Sequence, residues 1–320
     1  MIKNLDPRKA FEKKMIDLGM RKEKILALSC DSSAGGGLGA FFKTFPNRSV
    51  EIGINEQNAV SISAALAKQG FIPILVVINP FLTMRAFEQV RDDLGYMNTN
   101  VKIVGSGGGL AYSTLGASHM AIEDIALMRT VPNLTIFAPG DADEVSFVLE
   151  EAVKIQGPVY IRMPRQPRPL PRPSEERRLE MGKAEILEEG SDVSIFTYGP
   201  SVEEALKASV ILKEKGIKTA IINMTTINPL DKLAISNYSK KPKIVVVLEE
   251  HIEIGGLGSA VAEVMSQNGA GIPLHVFGIP VGSKNTGPYD ELVRYYGLSG
   301  DMVAKRILEI LSNKEEMYND

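Results

Sequence analysis

The first half of the chain alternates continuous apolar runs with amphipathic stretches, which is the pattern of an α/β domain. The run Ile72–Ile78 is apolar throughout and is typical of a strand in the middle of a parallel sheet. From Phe81 to Met97 apolar residues recur three apart, which predicts a helix. By the same criteria, further strands are predicted at residues 24–29, 49–54, 101–104, 134–138 and 158–162, and further helices at 7–18, 56–67, 122–129 and 141–154.

The second half repeats this alternation on a smaller scale. Its predicted strands are at residues 193–197, 219–223, 244–248 and 274–277, and its predicted helices at 202–215, 230–237, 257–268 and 302–312. Between the halves, Met163–Pro173 has five prolines in eleven residues, which predicts a stiff connector whose arginines mostly face solvent. We therefore predict the fold class α/β, with two doubly wound domains and mainly parallel sheets. The expected boundaries are 1–165 for the first domain, 166–185 for the Pro-rich linker and 186–320 for the second domain.

Composition is that of an ordinary soluble protein and narrows the possible partners. Hydrophobic residues make up 44% and charged residues 23% of the chain, and the formal net charge of -3 gives no reason to expect nucleic acid or a membrane as partner. Cys30 is the only cysteine, so no internal disulfide can form and a reducing compartment is expected. Met1–Lys14 lacks the apolar core of a signal peptide, and no apolar run is long enough to span a bilayer. We therefore expect a cytoplasmic protein.

The stretch Ser49–Asn58 contains a carboxylate in an unusual setting. Ser49–Ile54 alternates polar and apolar residues like a short strand, and Asn55 is a good N-cap for the small, apolar helix that follows. Glu56 is therefore expected in the first turn of a helix that is buried on most sides. Burying a carboxylate is costly unless a partner shares its charge. Glu56 is explained either by the attraction of the helix dipole or by a catalytic role.

Two Gly-rich loops follow predicted parallel strands and are therefore expected at the carboxyl edge of the sheet, where such sheets bind ligands. The first, Asp31–Gly39, fits neither the P-loop nor the dinucleotide-binding pattern, so a plain mobile loop is its simpler explanation. The second, Gly105–His119, ends on a histidine. In the second half, Gly255–Gly258 opens a helix, where close helix–strand packing explains the glycines better than a bound anion does. The role of His251 is left open.

Three stretches follow one another in an order and spacing that is specific as a set. They are Gly53–Asn58, Phe81–Phe87, and Gly116–His119 with Glu123–Arg129 after it. Together they resemble the C-terminal half of transketolase, the thiamine diphosphate (ThDP) enzyme that moves two-carbon ketol units between sugars. The first stretch resembles the signature around the catalytic glutamate, the second the helix that packs on the aminopyrimidine ring, and the third the active-site histidine loop. The resemblance covers nearly the whole chain and implies a pyrimidine-binding domain followed by a transketolase C-terminal-like domain.

This resemblance implies a role for Glu56, which would hydrogen-bond N1′ of the aminopyrimidine and favour its imino tautomer. The carboxylate must then be buried beside an apolar wall with few competing charges, and the pattern around Glu56 predicts all three conditions. His119 would contact a hydroxyl of the donor sugar or stabilise the covalent intermediate. The other implied positions are a wall of Phe81, Met84 and Phe87, an acidic residue near the cofactor at Asp31, and phosphate-binding arginines at Arg8 and Arg165.

Two positions depart from the family pattern: Leu115 stands where full-length transketolases have an aspartate, and Gly107 where they have a histidine. These departures leave the donor and acceptor sugars open. The chain also lacks the Gly-Asp-Gly segment with which the family's N-terminal half holds Mg²⁺ and the diphosphate. The resemblance therefore implies one subunit of a split transketolase acting on sugar phosphates. It would share ThDP and Mg²⁺ with a separate diphosphate-binding subunit in an α2β2 heterotetramer, with no metal ligand from this chain.

Other functions fit the same two-domain plan. The β subunit of a 2-oxoacid dehydrogenase E1 component also has a catalytic glutamate, and a deoxyxylulose-phosphate synthase is similar but is normally one long chain. A non-catalytic binding subunit that kept the fold is a third possibility. Transketolase is favoured by three features: the Glu56-Gln57-Asn58 triplet, the loop ending at His119 and the arginines suited to sugar phosphates.

Overall fold

A computed structural model describes residues 4–319, with side chains described for residues 5–313. The strands are β1 Asn4–Leu5, β2 Ile25–Ser29, β3 Ser49–Glu51, β4 Ile72–Ile78, β5 Lys102–Ser106, β6 Thr135–Phe137, β7 Val159–Met163, β8 Arg168–Pro169, β9 Glu185–Glu188, β10 Val193–Thr197, β11 Thr219–Asn223, β12 Thr226–Asn228, β13 Ile244–Ile252 and β14 Leu274–Ile279. The α-helices are α1 Pro7–Arg21, α2 Gly39–Thr44, α3 Glu56–Lys68, α4 Phe87–Gln89, α5 Asp124–Met128, α6 Ala142–Ala152, α7 Ser201–Glu214, α8 Lys232–Tyr238, α9 Leu257–Gln267, α10 Tyr289–Tyr295 and α11 Gly300–Asn319.

The first half folds around a sheet with the strand order β12-β6-β7-β5-β4-β2-β3. Neighbouring strands from β6 to β3 are all parallel, as the continuous apolar runs predict. Successive residues of β4 face opposite sides of the sheet: Leu75 packs in one core cluster with Ala59 of α3, and Ile74 packs in another with Phe11 of α1. Helices therefore cover both faces, which confirms a doubly wound domain.

The second half folds around a sheet with the order β14-β13-β10-β11-β9, in which all pairs are parallel except the edge pair β9–β11. Val245 of β13 shares a core cluster with Val261 of α9, and Val246 shares another with Ala205 of α7. This sheet is thus also covered on both faces. The predicted fold class, two doubly wound α/β domains with mainly parallel sheets, is confirmed.

Short elements account for the differences from the predicted pattern. The sequence does not predict β9 or β12, because edge strands of three or four residues are too short to carry a periodic signal, and it does not predict the seven-residue helix α10. Although β12 belongs to the second half, it pairs antiparallel with β6 and extends the first sheet. The helix predicted over 81–97 is interrupted, since the π-helical segments Phe81–Arg85 and Val90–Tyr96 flank α4.

The linker is packed rather than solvated. Its strand β8 pairs antiparallel with β1. Arg168 is buried, and Arg165 and Arg172 are only partly exposed, so the expectation of mostly solvent-facing arginines is wrong. Arg177, farther along the linker, is buried as well. The reason is that buried acidic side chains at the junction of the two halves require cationic partners. One group, which we call the linker cluster, consists of Arg177 with the carboxylates of Asp141, Glu144 and Glu185.

Candidate active site

Glu56 begins α3 at the carboxyl edge of the first sheet, and its carboxylate is buried as the sequence predicts. After β3 the chain turns through Gly53, whose φ of 79° lies in the left-handed region that favours glycine. The Glu56 side chain is only 3% exposed and adjoins Cys30, which follows β2. Burial, with a smaller contribution from the Glu56 carboxylate, raises the pKa of the Cys30 thiol to about 11. Glu56 therefore combines a low-dielectric surrounding with the positive end of a helix.

Arg85 is the charged partner of Glu56, and the sequence pattern does not anticipate it. Arg85 Nη1 donates to Glu56 Oε2 at 2.9 Å, and the guanidinium carbon lies 4.2 Å from the centre of the Phe81 ring. Phe81 and Arg85 are the first and last residues of a π-helical segment, and residues four apart share one helix face. The expectation of few competing charges near Glu56 is therefore wrong. Arg85, the partner of Glu56, is however 45% exposed.

The loop after β5 brings His119 to the same aromatic ring. The ring centres of Phe81 and His119 are 5.1 Å apart, in an edge-to-face arrangement with an interplanar angle of 73°. Ser118 Oγ lies 3.0 Å from His119 Nδ1. The His119 N–H donates to Gly116 O at 3.0 Å, and the φ of 79° at Gly116 again favours glycine. A glycine-dependent turn thus sets the direction in which the histidine leaves the loop.

Arg165 is joined to His119 through Tyr112. The Arg165 guanidinium donates to the Tyr112 hydroxyl at 2.8 Å, and its carbon lies 4.6 Å from the Tyr112 ring centre. The Tyr112 and His119 rings are 6.4 Å apart between centres. The contacts therefore form one continuous series, which we call the edge row: Glu56, Arg85, Phe81, His119, Tyr112 and Arg165.

Met84 and Phe87 lie next to the edge row. Both side chains are half-buried, and Phe87 packs with Phe81 against the core that α3 covers. Phe81 and Phe87 thus pack on the core, and the wall implied for Phe81, Met84 and Phe87 stays a prediction.

Asp31 and Arg8 lie farther along the sheet edge. Asp31 is exposed just after β2, and its backbone N–H donates to Glu51 Oε1 at 2.6 Å. Arg8 is in the first turn of α1, where its Nη2 lies 3.4 Å from Asp6 Oδ2. A Cβ added at Gly37 would lie 3.3 Å from the Arg8 carbonyl, so α1 packs closely on the first Gly-rich loop. Arg8 thus borders that loop, whereas Arg165 belongs to the edge row.

A buried polar network behind the edge row fixes its supporting elements. Asp124 Oδ2 accepts hydrogen bonds from Asn79 Nδ2 at 3.0 Å, Tyr160 Oη at 2.7 Å and Arg162 Nε at 2.8 Å. Burial is the largest single influence on Asp124 and alone would raise its pKa, but the charge and hydrogen bond of Arg162, together with His251 and the Tyr160 hydrogen bond, hold the pKa below its usual range. The network ties the ends of β4 and β7 to the start of α5. The sequence offers no periodic signal for it, since its members are far apart in the chain.

The chemistry available at this edge is that of a carboxylate, an aromatic wall, an imidazole and guanidinium groups. Within residues 5–313, no group of three or more His, Cys, Asp or Glu side chains is placed to hold a metal ion. Over the described part of the chain, none of the helices has the length and apolar character needed to cross a membrane.

Residues 3–169 match the family model described as "Transketolase, pyrimidine binding domain". Residues 182–303 match the one described as "Transketolase, C-terminal domain". The chain belongs to the transketolase family. It is 40% identical over 303 residues to a putative transketolase C-terminal section of Methanocaldococcus jannaschii, with 94% of this chain and 95% of that one covered. It is 36% identical over 304 residues to a subunit of the apulose-4-phosphate transketolase of Phocaeicola vulgatus, with 95% and 97% covered. A solved structure described as a split gene transketolase, inactive β4 tetramer, matches with a TM-score of 0.87 at 36% identity, covering 96% of this chain and 99% of that one.

The two departures of this transketolase-family chain have different settings. Leu115 is 55% exposed in the 3₁₀ turn Ser113–Leu115. At Gly107, where φ is 79°, an added Cβ would lie 2.2 Å from the Tyr112 ring. Tyr112 therefore fills the space that a side chain at position 107 would enter. Sequence reasoning missed Tyr112, and an aromatic residue inside a Gly-rich loop is the only signal that would have indicated it.

In the transketolase C-terminal domain, Gly255–Gly258 accommodates one of the domain's own side chains. Glu249 Oε2 accepts the Leu257 N–H at 2.8 Å, and Oε1 accepts the Gly258 N–H at 2.9 Å, so Glu249 caps α9. A Cβ on Gly258 would lie 2.6 Å from Val276 Cγ2. The close helix–strand packing predicted for these glycines is confirmed.

His251, whose role the sequence left open, connects the two transketolase domains. Its Nε2 accepts the Ala126 N–H at 3.2 Å, and its Nδ1 lies 2.7 Å from Ile252 O. Because Nε2 accepts the Ala126 N–H, Nδ1 is the ring nitrogen placed to donate to Ile252 O. His251 is fully buried and therefore holds α5 against β13.

Proposed function

We propose that this chain is one subunit of a ThDP-dependent split transketolase that transfers two-carbon ketol units between sugar phosphates. The observation that carries the proposal is the edge row, in which the buried Glu56 carboxylate, Phe81 and His119 lie side by side at the carboxyl edge of a parallel sheet. A pure binding subunit would have no reason to keep a buried carboxylate at that position. We also propose the domain boundaries 1–165, 166–185 and 186–320.

The residues around Glu56 fit the aminopyrimidine ring of ThDP. The Arg85 guanidinium is planar, carries N–H donors, and lies against the Phe81 ring while bonding Glu56. Arg85 therefore occupies the position in which another flat, nitrogen-bearing group could bond the Glu56 carboxylate and stack on the Phe81 ring. When bound, ThDP supplies a nucleophilic carbon that accepts and passes on the two-carbon unit.

Glu56 would act through a single hydrogen bond. The proton-bearing ring nitrogen would take the place of the Arg85 guanidinium and donate a hydrogen bond to the Glu56 carboxylate. Because the side chain is nearly fully buried, the local dielectric is low and this bond is stronger than it would be in water. Phe81, with Met84 and Phe87 behind it, would fix the plane of the ring and exclude water. Asp31 would border the cofactor from the neighbouring loop.

The other end of the edge row would take the sugar phosphate. Ser118 contacts Nδ1 of His119, so Nε2 is the ring nitrogen left for a hydroxyl of the donor sugar. The Arg165 guanidinium is fixed on Tyr112, and its remaining N–H groups suit phosphate oxygens. Arg8 would have to leave Asp6 to meet a phosphate, and we assign it the smaller share of binding.

The diphosphate and Mg²⁺ would be held by a separate subunit. This chain contains no Gly-Asp-Gly segment. One relative is described as a C-terminal section and another as a lettered subunit of its enzyme, and a tetramer of the β chains alone is described as inactive. We therefore propose a cytoplasmic α2β2 heterotetramer in which ThDP lies between unlike subunits.

The test is to purify the tagged chain from its native lysate with ThDP and Mg²⁺, and to analyse the co-purifying protein, the bound ThDP and the activity. We expect a second chain that carries Gly-Asp-Gly, ThDP retained only in the complex, and ketol transfer from a ketose phosphate to an aldose phosphate. Decarboxylation of a 2-oxoacid instead would identify an E1 β subunit. A complex that is inert on both substrates, or a chain that stays alone without ThDP, would overturn the proposal in favour of a binding subunit.

A further inference from the structure

The loop that carries His119 is anchored outside its own domain. Leu110, Met120 and Ile122 flank the Tyr112–His119 segment, and all three are buried in the core cluster of the C-terminal domain, together with Leu248. The apolar ends of the segment are therefore part of the second domain's core. The segment between them returns to the edge row of the first domain.

A buried carboxylate of the C-terminal domain bonds the start of this segment. Glu250, in β13, accepts the Leu110 N–H on Oε2 at 3.1 Å and the Tyr289 hydroxyl on Oε1. At Gly109, where φ is 64°, an added Cβ would lie 2.5 Å from Glu250 Oε2, so the loop approaches the carboxylate as closely as only glycine permits. Burial and the Glu250 carboxylate raise the pKa of Tyr289 well above its usual value, which keeps its hydroxyl a donor. The guanidinium of Arg168 lies 5.0 Å from the Tyr289 ring centre.

A second contact restrains the turn that aims His119. The Gly287 N–H donates to Ser113 O at 3.4 Å, and an added Cβ at Gly116 would lie 2.9 Å from Thr286 Cγ2. Residues 286–289 of the C-terminal domain therefore lie along the turn at 113–116. Since Gly116 O accepts the His119 N–H, a shift of residues 286–289 would move the histidine.

We propose that Glu250 and Tyr289 are positioning residues: through Leu110 and the turn at 113–116, the C-terminal domain holds His119 against Phe81. This gives the C-terminal domain a task in the reaction beyond packing. The kinetic part of the proposal rests on the proposed function, whereas the restraint on the loop does not.

The restraint is tested by hydrogen–deuterium exchange of the full chain. The variant is Tyr289→Phe, and its matched control is Tyr238→Phe, which removes another Tyr–Glu hydrogen bond of the same domain, to Glu189, away from the loop. Because a hydrogen bond to a charged group is lost, we expect the backbone amides of Leu110 and His119 to exchange about tenfold faster in Tyr289→Phe. The control should leave them unchanged.

Equal exchange of the loop amides in Tyr289→Phe and Tyr238→Phe would overturn the proposal. Glu250→Ala removes both bonds and should accelerate the loop further, to about a hundredfold. If Glu250→Ala does not fold, Tyr289→Phe still decides the question.

The kinetic part is tested in the complex with the partner subunit. Tyr289→Phe should lower kcat/KM for the donor sugar about tenfold and leave the affinity for ThDP unchanged, because Glu56 and Phe81 are held by the first domain. Parallel losses of ThDP affinity and activity would indicate general destabilisation and would contradict the positioning role. If the wild-type complex transfers no ketol units, the proposed function fails, while the exchange experiment still decides whether the C-terminal domain restrains the loop.

Discussion

The linker cluster and the edge row both bury carboxylates, but they satisfy them in opposite ways. In the linker cluster, Glu144 has fixed donors on both of its oxygens, three on Oε1 and one on Oε2. They are the Arg177 guanidinium, the Asn223 amide, the Thr225 hydroxyl and the Gly140 N–H. In the edge row, Glu56 is just as buried, yet its one guanidinium partner, Arg85, is nearly half exposed.

This difference separates a structural carboxylate from one that is available for chemistry. A buried charge with several fixed donors cannot change partner without leaving those donors unpaired, which costs about 1–3 kcal/mol for each group. A buried charge with a single mobile partner can exchange it for a ligand at little cost, because the partner returns to water. We therefore expect the linker cluster to govern stability and the edge row to govern turnover.

The largest expected effect is on stability, from Arg177→Met. This change leaves three carboxylates buried without their cation, and breaking such a buried ion pair costs about 3–5 kcal/mol. The free energy of unfolding from urea titration measures it. The matched control is Arg172→Met in the same linker, since Arg172 bonds only the carbonyls of Ile186 and Leu187 and should lose about 1 kcal/mol. Equal losses would mean that the linker cluster is not a charge-compensated unit.

The loss in Arg177→Met should also depend on pH. Burial and the Glu144 carboxylate raise the pKa of Asp141 to about 7, from a usual value of 3.8, and Arg177 opposes this rise. The folded state therefore holds more protons than the unfolded state between these values, so the contribution of Asp141 to stability falls as the pH rises from about 4 to 7. Without Arg177 the pKa of Asp141 in the folded state would rise further. The loss of unfolding free energy should be greater at pH 8 than at pH 5, and a pH-independent loss would contradict this account.

The next effect is on turnover, from Glu56→Gln in the complex with its partner subunit. Glutamine preserves shape but cannot hold the ring nitrogen's proton as a carboxylate does, so we expect ThDP to bind and kcat to fall about a hundredfold or more. Glu88→Gln, on the exposed face of α4, is the control and should keep wild-type turnover. Near-wild-type turnover in Glu56→Gln would remove the catalytic role assigned to Glu56.

The central features of this comparison could be predicted from the sequence only in part. The parallel strands could be, because β4 and residues 244–248 of β13 are continuous apolar runs bounded by helical patterns. The burial of Glu56 could be as well, since it follows an N-cap and precedes a small apolar helix. The Arg85 partner could not, because its contact with Glu56 joins residues that are 29 apart in the chain, and no local pattern encodes it.

The linker cluster shows the same limit for contacts that are distant in the chain. A Pro-rich, basic stretch predicts an exposed connector, but Arg177 is buried because Asp141, Glu144 and Glu185 converge on it from other elements. No local pattern encodes that convergence. Tyr112 is a similar case, since its contact with Arg165 depends on how the Gly-rich loop folds back.

A smaller effect is expected on substrate binding, from Arg165→Ala. Removing the guanidinium should raise KM for phosphorylated sugars about tenfold and lower kcat less, because a phosphate contact remote from the reacting carbon acts mainly in binding. KM for a sugar without phosphate is the control and should not change. An unchanged KM for the phosphorylated sugar would withdraw Arg165 from the phosphate site.

The smallest expected effect, from Arg85→Met, bears most directly on the comparison. Its ion pair with Glu56 is partly exposed on the arginine side, so we expect a loss of unfolding free energy of no more than about 1 kcal/mol. Arg91→Met is the matched control, because Arg91 also pairs with a carboxylate, Asp92, and lies over an aromatic ring, Tyr96, but with both partners exposed.

Three urea titrations then order the sites: Arg91→Met should be near neutral, Arg85→Met slightly destabilising and Arg177→Met strongly so. The middle position follows from the helix N-terminus, which continues to stabilise the Glu56 carboxylate when its mobile partner is gone. A loss in Arg85→Met as large as in Arg177→Met would mean that Glu56 needs Arg85 as a permanent partner. Glu56 would then be a structural carboxylate, and the division between the edge row and the linker cluster would fail.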